Sequence, residues 1–292
     1  MLFRPSAHRN LAYQVLHYVE THLEEPFTIR DISDEVGVSY FYLHHLFGET
    51  AGENLGQLIK RMRLEHAFGY LKHSGYTVGD IGDLTGFGSK HSFSRAFSQY
   101  FNQSPSKIRA QSELVVPDSF IHHDQGPLLT TYRQSWKQRM LDDQYGIRFF
   151  PEMTYFFQYL GALPAEGTEP FAQRLRRLFE LQGLLGLPLV FSTSAIGCAT
   201  RPVNTLIRAG FLAQTAAQST LLKQTGFLQC RLESGNYLTA CFEGTLPAGS
   251  VLTYSVIQES VREGLFQVRD HSTLLLINPA RPGQIDVWIP VV

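Results

Sequence analysis

Two stretches in the first third of the chain repeat one another, and this repeat constrains the fold more than any other feature. FTIRDISDEVG at 27–37 aligns with YTVGDIGDLTG at 76–86. A threonine followed three residues later by an acid is typical of a helical capping box, and a glycine that ends a helix suits a left-handed backbone. The residues that recur in this pattern, with a serine to cap a second helix, are Thr28, Asp31, Gly37 and Ser39, then Thr77, Asp80, Gly86 and Ser89. Each copy therefore predicts a helix-turn-helix.

A longer helical pattern separates the two copies. About 20 residues at about 1.5 Å each give a rod of about 30 Å, close to the spacing of about 34 Å between major-groove segments on one side of B-DNA. A helix before the first copy and another beginning at Ser104-Pro105 bring the total to seven. We therefore predict an all-α double helix-turn-helix domain over residues 1–111 that binds double-stranded DNA. The apolar stripe of the long helix comprises Leu55, Leu58, Ile59, Met62, Ala67, Tyr70 and Leu71.

These residues resemble the AraC/XylS family of transcription regulators over about residues 9–110. The matching pieces are IRDISDEVGVSYFYLHHLF at 29–47, GENLGQLIKRMRL at 52–64 and GFGSKHSFSRAFSQYFNQSPSKIR at 86–109. The resemblance implies a DNA-binding activator or repressor. It also implies that the protein binds DNA as a monomer, because one chain carries two helix-turn-helix copies. A contact with RNA polymerase is implied as well.

The second helix of each copy is expected to enter the major groove, where side chains of its first turns reach base edges. Residues 31–59 contain five acids and no lysine or arginine, whereas residues 60–111 contain eight bases and three acids. Because phosphate neutralisation drives much of DNA affinity, the second copy is predicted to supply most of it. The candidate base-reading residues are Tyr40, Phe41, His44 and His45 in the first copy and Ser89, Lys90, His91, Ser92 and Arg95 in the second.

Other basic and histidine residues of this region are interpreted more simply. Arg61 and Arg63 are expected to lie on a solvated helix face and not to contact phosphate. His44 and His45 are adjacent on a helix and point about 100° apart, which disfavours a shared metal ion. No metal or cofactor is predicted.

After residue 111 the pattern changes. Residues 112–144 are broken by Pro117, Gly126 and Pro127 and are predicted to be a linker. From residue 145 the order strand–helix–strand–strand occurs twice, with helices at 169–186 and 250–264. This predicts an α+β domain over 145–292, built from two such repeats with an apolar ligand groove between the helices. The candidate ligand-lining residues are Tyr155, Phe157, Tyr159, Tyr237, Phe242, Glu243 and Trp288.

The element order and the closing DVWIPV at 286–291 resemble the gyrase-inhibitor-like (GyrI-like) effector domain that follows the helix-turn-helix domain in Rob-type regulators. The resemblance implies binding of small amphipathic, often cationic molecules, as in multidrug binding. Such domains often carry a glutamate in the strand matching 273–277, where this chain has Leu274, Leu275 and Leu276. The nearby acids are Glu243 and Asp286. A neutral aromatic ligand and a contact with another protein both stay open.

Whole-chain properties set the remaining expectations. Three cysteines without paired spacing disfavour a disulfide framework or a zinc site, and no apolar run reaches about 18 residues, so a cytoplasmic protein without a membrane span is expected. No nucleophile elbow, metal box or phosphate loop occurs, so an enzyme is not predicted. The alternative function is a drug- or toxin-sequestering protein with weakened DNA binding, since the first copy is acidic.

Overall fold

The structure, a computed structural model, describes residues 7–50, 53–111, 145–160, 171–193, 207–243, 269 and 273–292. The described residues up to 111 belong to a helical unit, and those from 145 belong to an α+β unit. The predicted linker at 112–144 and the predicted helix at 250–264 lie outside the described residues. In the described part of the chain, no helix combines the length and apolar character that crossing a bilayer requires.

The first unit is entirely helical where it is described, which confirms that prediction. The helices α2 and α5 both begin with the predicted capping boxes at Thr28 and Thr77. Gly37 and Gly86 both have the predicted left-handed backbone, with φ of 69° and 72°. The helices are α1 (Ala7–Thr21), α2 (Ile29–Val36), α3 (Tyr40–Thr50), α4 (Leu55–His73), α5 (Val78–Leu84), α6 (Lys90–Phe101) and α7 (Pro105–Ala110).

The long helix α4 organises this unit. It contacts α3 and also α5, α6 and α7, so it joins the two helix-turn-helix copies. Leu58, Met62 and Leu71 of α4 are buried, as the apolar stripe predicts, and Phe47 and Phe97 of the two second helices are fully buried. At about 1.5 Å per residue, the 19 residues of α4 span about 28 Å.

The described part of the second unit contains two helices and one sheet of eight antiparallel strands, in the order β1-β6-β8-β7-β3-β4-β2-β5. Its elements are β1 (Tyr145–Phe150), β2 (Met153–Leu160), α8 (Phe171–Leu185), β3 (Leu189–Thr193), β4 (Ile207–Leu212), α9 (Ala216–Gln224), β5 (Leu228–Leu232), β6 (Gly235–Glu243), β7 (Leu274–Ile277) and β8 (Gln284–Val291).

Two elements, α9 and β5, were not expected from the sequence. The local signal for α9 was present, because Thr215 and Gln218 form a capping box at its start. The first strand expected from residue 145 is instead two strands, β1 and β2, separated at Pro151 and Glu152. Proline lacks the amide that a strand interior donates to its neighbour, which accounts for the break.

The strand order is symmetric about the central pair β3 and β7. On one side follow β4, β2 and β5; on the other follow β8, β6 and β1. Only two residues separate β1 from β2 and β5 from β6, yet β1 pairs with β6 and β5 pairs with β2. These short links require the two edges of the sheet to approach each other, so the sheet is strongly curved.

Candidate functional site

Helix α3 presents aromatic and histidine side chains to solvent. Phe41 exposes 83% of its surface and Tyr40 44%, and His44 and His45 are also exposed. The Tyr40 ring packs edge-to-face on Phe41, with ring centroids 5.7 Å apart. With Tyr42, which exposes 37%, these rings form a contiguous exposed aromatic patch, and such patches mark interaction surfaces.

Helix α6 presents basic side chains at the matching place in the second copy. Lys90, His91 and Arg95 are exposed, while Phe93 is fully buried on the opposite side of the helix. The serines of the first turn stabilise the turn itself. Ser89 accepts a hydrogen bond from the amide of Ser92 at 3.2 Å, and the Ser92 hydroxyl donates to the Phe87 carbonyl at 2.6 Å.

Arg61 corrects one sequence-based interpretation, because it is buried instead of lying on a solvated face. Its guanidinium pairs with Glu53 at 2.6 Å and with Glu65 at 3.2 Å. Tyr100 of α6 donates to Glu65 at 2.8 Å, so the cluster joins α4 to the second copy. Burial opposes the charge, but the hydrogen bonds and charges of the two glutamates raise the pKa of Arg61.

Three further bases from residues 60–111 make contacts within the unit. Arg63 donates to the Glu25 carbonyl at 3.2 Å, Lys72 donates to the Gln111 carbonyl at 2.7 Å, and Arg109 donates to the Tyr76 carbonyl. Burial lowers the pKa of both Arg63 and Lys72. The bases of this range that are exposed are Lys60, Lys90, Arg95 and Lys107.

The exposed charge is therefore distributed unequally between the two second helices. Two of the four exposed bases of residues 60–111 lie on α6, and α3 contains neither lysine nor arginine. In α2, Asp31 is held by Thr28, whose backbone and side-chain hydrogen bonds lower the pKa of the carboxyl. The first copy thus combines an acidic α2 with an aromatic α3 that has no lysine or arginine, so histidine is the only residue type in α3 that can carry a positive charge.

In the second unit, six of the seven predicted ligand residues lie on one face of the sheet. Directly opposed residues of antiparallel strands share a face, and residues alternate along each strand. The register from β2 through β4, β3, β7 and β8 to β6 can be followed pair by pair. We call this side the aromatic face, and it carries Tyr155, Phe157, Tyr159, Tyr237, Glu243 and Trp288. Phe242 lies in β6, but its side chain is outside what the structure describes.

Most of these aromatic side chains belong to the core. Tyr155, Phe157, Tyr159 and Tyr237 each expose 1% or less. Tyr155 donates to the Val190 carbonyl at 2.9 Å, which satisfies its hydroxyl. These four residues therefore stabilise the curved sheet whether or not a ligand binds.

Solvent reaches the aromatic face at the side chains that are only half-buried or are exposed. Trp288 is half-buried, and Phe150, which was not among the predicted residues, stacks on it with centroids 4.2 Å apart. Glu243 is exposed at the end of β6. Asp286 is bound by Arg281, so that carboxylate already has a cation of its own chain.

Two arginines that lie over rings of the aromatic face were also missed by the sequence reasoning. Arg208 of β4 places its guanidinium carbon 5.3 Å from the ring centroid of Phe157, and Arg269 stands 5.3 Å from the ring of Tyr237. Alternation along β4 could have placed Arg208 on a defined face. Only the strand pairing shows that this face is the aromatic one.

Comparisons with known proteins bear on the helical unit. A family model described as a helix-turn-helix domain matches residues 32–111. An uncharacterized HTH-type transcriptional regulator of Staphylococcus aureus strain MRSA252 is 33% identical over 103 residues, which is 35% of this chain and 14% of that protein. The chain thus spans about a seventh of the length of this relative.

Two further proteins are similar over a comparable share of the chain. The multiple antibiotic resistance protein MarA of Escherichia coli strain K12 is 29% identical over 110 residues, covering 38% of this chain and 86% of MarA. The structure of an AraC-type regulator from Chromobacterium violaceum is 29% identical over 37% of this chain and 96% of that one, with a TM-score of 0.35. From the capping boxes, the two turns and the family match together, residues 32–111 form a helix-turn-helix domain similar to those of AraC-type transcription regulators.

Proposed function

We propose that this chain is a sequence-specific DNA-binding transcription regulator of the AraC/XylS type. The observation that carries the proposal is the pair of exposed second helices, α3 and α6, joined through the single helix α4. A length of about 28 Å for α4 is near the spacing of about 34 Å between neighbouring major-groove segments. In this proposal α3 and α6 enter adjacent major-groove segments of one DNA duplex, so a monomer is enough to contact both segments.

The two helices read DNA by different chemistry. Arg95 on α6 donates two hydrogen bonds to guanine, and Lys90 neutralises phosphate. On α3, Phe41 contacts a thymine methyl group, and His44 and His45 supply hydrogen bonds to bases. Because exposed lysine and arginine are on α6 and absent from α3, the second copy carries most of the affinity.

Alanine substitutions in a gel-shift or fluorescence anisotropy assay test this division. A binding site is first located by footprinting on the DNA upstream of the chain's own gene. We expect Arg95→Ala to weaken binding by about fivefold or more, since a bidentate guanine contact is worth about 1–3 kcal/mol. His45→Ala is expected to weaken it by less than threefold at pH 7.5.

Lys107→Ala is the matched control, because it removes one exposed base of the same unit from outside α6. Equal losses for Arg95→Ala and His45→Ala would contradict the asymmetry. No sequence-specific footprint at any site would contradict DNA regulation and favour the sequestering function.

The second part of the proposal concerns residues 145–292, which we assign as a GyrI-like effector domain that follows a linker at 112–144. The symmetric strand order about β3 and β7 supports its construction from two strand–helix–strand–strand repeats. A small aromatic or amphipathic ligand bound on the aromatic face shifts the population between states that differ in DNA binding or in contact with RNA polymerase. The effector role is tested by measuring whether an added ligand changes the affinity for the operator or the rate of transcription in vitro.

A further inference from the structure

The two edge strands of the described sheet, β1 and β5, hold equivalent places in the fold. β1 is followed after two residues by β2, and β5 is followed after two residues by β6. β1 pairs with β6, and β5 pairs with β2. Counted back from the last residue of each strand, Phe149 corresponds to Arg231, and Ile147 corresponds to Gln229. β5 therefore shows which side chains an edge strand of this sheet can carry.

The side chains of β5 at these positions are polar, as is usual at the edge of a sheet. Gln229 is exposed, and Arg231 is 78% exposed and pairs with Glu152 at 3.6 Å. Polar and charged side chains on an edge strand hinder it from pairing with the edge of another molecule. Because β5 is stable in the sheet with these residues, the fold itself does not require apolar side chains there.

The corresponding side chains of β1 are apolar and exposed. Ile147 exposes 55% of its surface and Phe149 exposes 68%. Both lie on the face opposite to the aromatic face, because Arg148 between them stands directly opposite Tyr237 of β6. Tyr145 is half-buried and extends the same apolar strip. This strip runs along an edge of the main chain with which no other described strand pairs.

The residues of β1 are complementary to a second copy of β1. The outer amides and carbonyls of an edge strand are satisfied by another strand, and two identical chains pair about a two-fold axis. With an antiparallel axis at Ile147, this residue faces its own copy, and Tyr145 faces Phe149 of the second chain. Pairs of β-branched and aromatic residues stabilise antiparallel strands. On the other face Arg148 stands opposite Gly146, which leaves room for the long arginine side chain.

The other registers of this strand pair are less favourable. Axes at Ile147 and at Arg148 each pair five of the six residues of β1, whereas an axis at any other residue of the strand pairs three or fewer. An axis at Arg148 places two guanidinium groups directly opposite each other, and like charges in that position are destabilising. The axis at Ile147 is therefore the one that combines the longest pairing with apolar contacts.

We propose that β1 is a homodimer interface, in which two copies of the chain associate by antiparallel pairing of their β1 strands about a two-fold axis at Ile147. This goes beyond the proposed DNA-binding function and does not rest on it. Two short strands bury a small area, which is typical of weak interfaces. The dimer is therefore expected to dissociate on dilution.

Sedimentation velocity of the full chain at about 1 to 100 µM, a range that covers weak interfaces, measures this association. We expect the average sedimentation coefficient to rise with concentration from that of a monomer towards that of a dimer. Ile147→Lys should weaken association by about tenfold or more, because two like charges replace an apolar pair. Gln229→Lys introduces the same lysine at the corresponding place of β5, and this matched control should associate like the unsubstituted chain.

Mixing two variants tests the position of the axis. Ile147→Glu alone should also associate weakly, because two carboxylates then face each other. An equimolar mixture of Ile147→Lys and Ile147→Glu should associate about threefold or more tightly than either variant alone, since opposite charges then meet across the strands. The corresponding mixture of Phe149→Lys and Phe149→Glu should show no such gain, because Phe149 faces Tyr145 and not its own copy.

Three outcomes would overturn the proposal. A chain that stays monomeric up to about 100 µM leaves the β1 edge for a strand of another protein. Equal association of Ile147→Lys and the unsubstituted chain places the dimer contact elsewhere. No gain in the mixture of Ile147→Lys and Ile147→Glu rules out the axis at Ile147. A gain on mixing also shows that both variants are folded, since an unfolded chain cannot form this strand pair.

Discussion

Replacing Arg61 by methionine should destabilise the helical unit much more than replacing an exposed base of the same helix, such as Lys60. The substitution removes the guanidinium that pairs with Glu53 and Glu65, and it leaves Glu65 buried, with a side chain 9% exposed. Removing one partner of a buried ion pair costs about 3–5 kcal/mol when the remaining partner stays charged. Methionine is close to the length of the aliphatic part of arginine, so the loss is mainly electrostatic.

Protonation of Glu65 sets an upper limit to this cost. With an ordinary glutamate pKa of about 4.3, neutralising the carboxyl at pH 7 costs about 3.7 kcal/mol. The variant escapes any larger penalty by taking up a proton. At pH 5 the same limit is about 1 kcal/mol, so the destabilisation should shrink as the pH falls.

Hydrogen exchange followed by mass spectrometry on the full chain measures the opening free energy of α4 and α6 separately from the second unit. Lys60→Met is the matched control, because Lys60 is the preceding residue of the same helix and is exposed. It should change the opening free energy by less than about 0.5 kcal/mol. The reasoning is wrong if Arg61→Met costs no more than Lys60→Met at pH 7, or if its cost is the same at pH 5.

Further predictions concern pH, a close backbone contact and a cap. Burial lowers the pKa of His66 to about 4. The unfolded chain, with a histidine pKa of about 6.5, then binds more protons, so stability is complete above pH 6.5 and falls by about 3 kcal/mol towards pH 4. His66→Gln should flatten this slope in thermal unfolding, and an unchanged slope contradicts the assignment. Gly210→Ala should unfold the sheet, because its Cβ overlaps the Phe156 carbonyl, whereas Gly183→Ala in α8 meets no atom and should be harmless; equal melting temperatures would refute this. Thr77→Ala should cost about 1 kcal/mol by loss of the α5 cap, and undiminished amide protection in α5 would oppose it.

The sequence by itself determined the helical unit to a large degree. Caps, glycine turns and apolar periodicity act between residues a few positions apart, so the pattern at Thr28, Gly37, Thr77 and Gly86 is enough to place the helices. The exposed and buried sides of α3 and α6 follow from the same periodicity. The local signal also fixed the caps of α7 at Ser104 and Pro105.

Charge at the candidate interface could not be read from the sequence alone. Arg61 and Lys60 are neighbours, and a count of bases treats them alike. The fold buries Arg61 because Glu53 before α4, Glu65 on α4 and Tyr100 on α6 meet at one place, although Tyr100 lies 39 positions after Arg61 in the chain. Only the packed structure separates bases that are exposed to solvent from bases that hold helices together.

In the second unit the tertiary structure decided still more. Alternation along each strand assigns side chains to one of two faces, but which strands are neighbours depends on pairing between distant segments. That pairing places Arg208 in the same row of paired residues as Trp288, 80 positions later in the chain. A guanidinium and an indole so far apart in sequence become parts of one surface because hydrogen bonds between strands set the register.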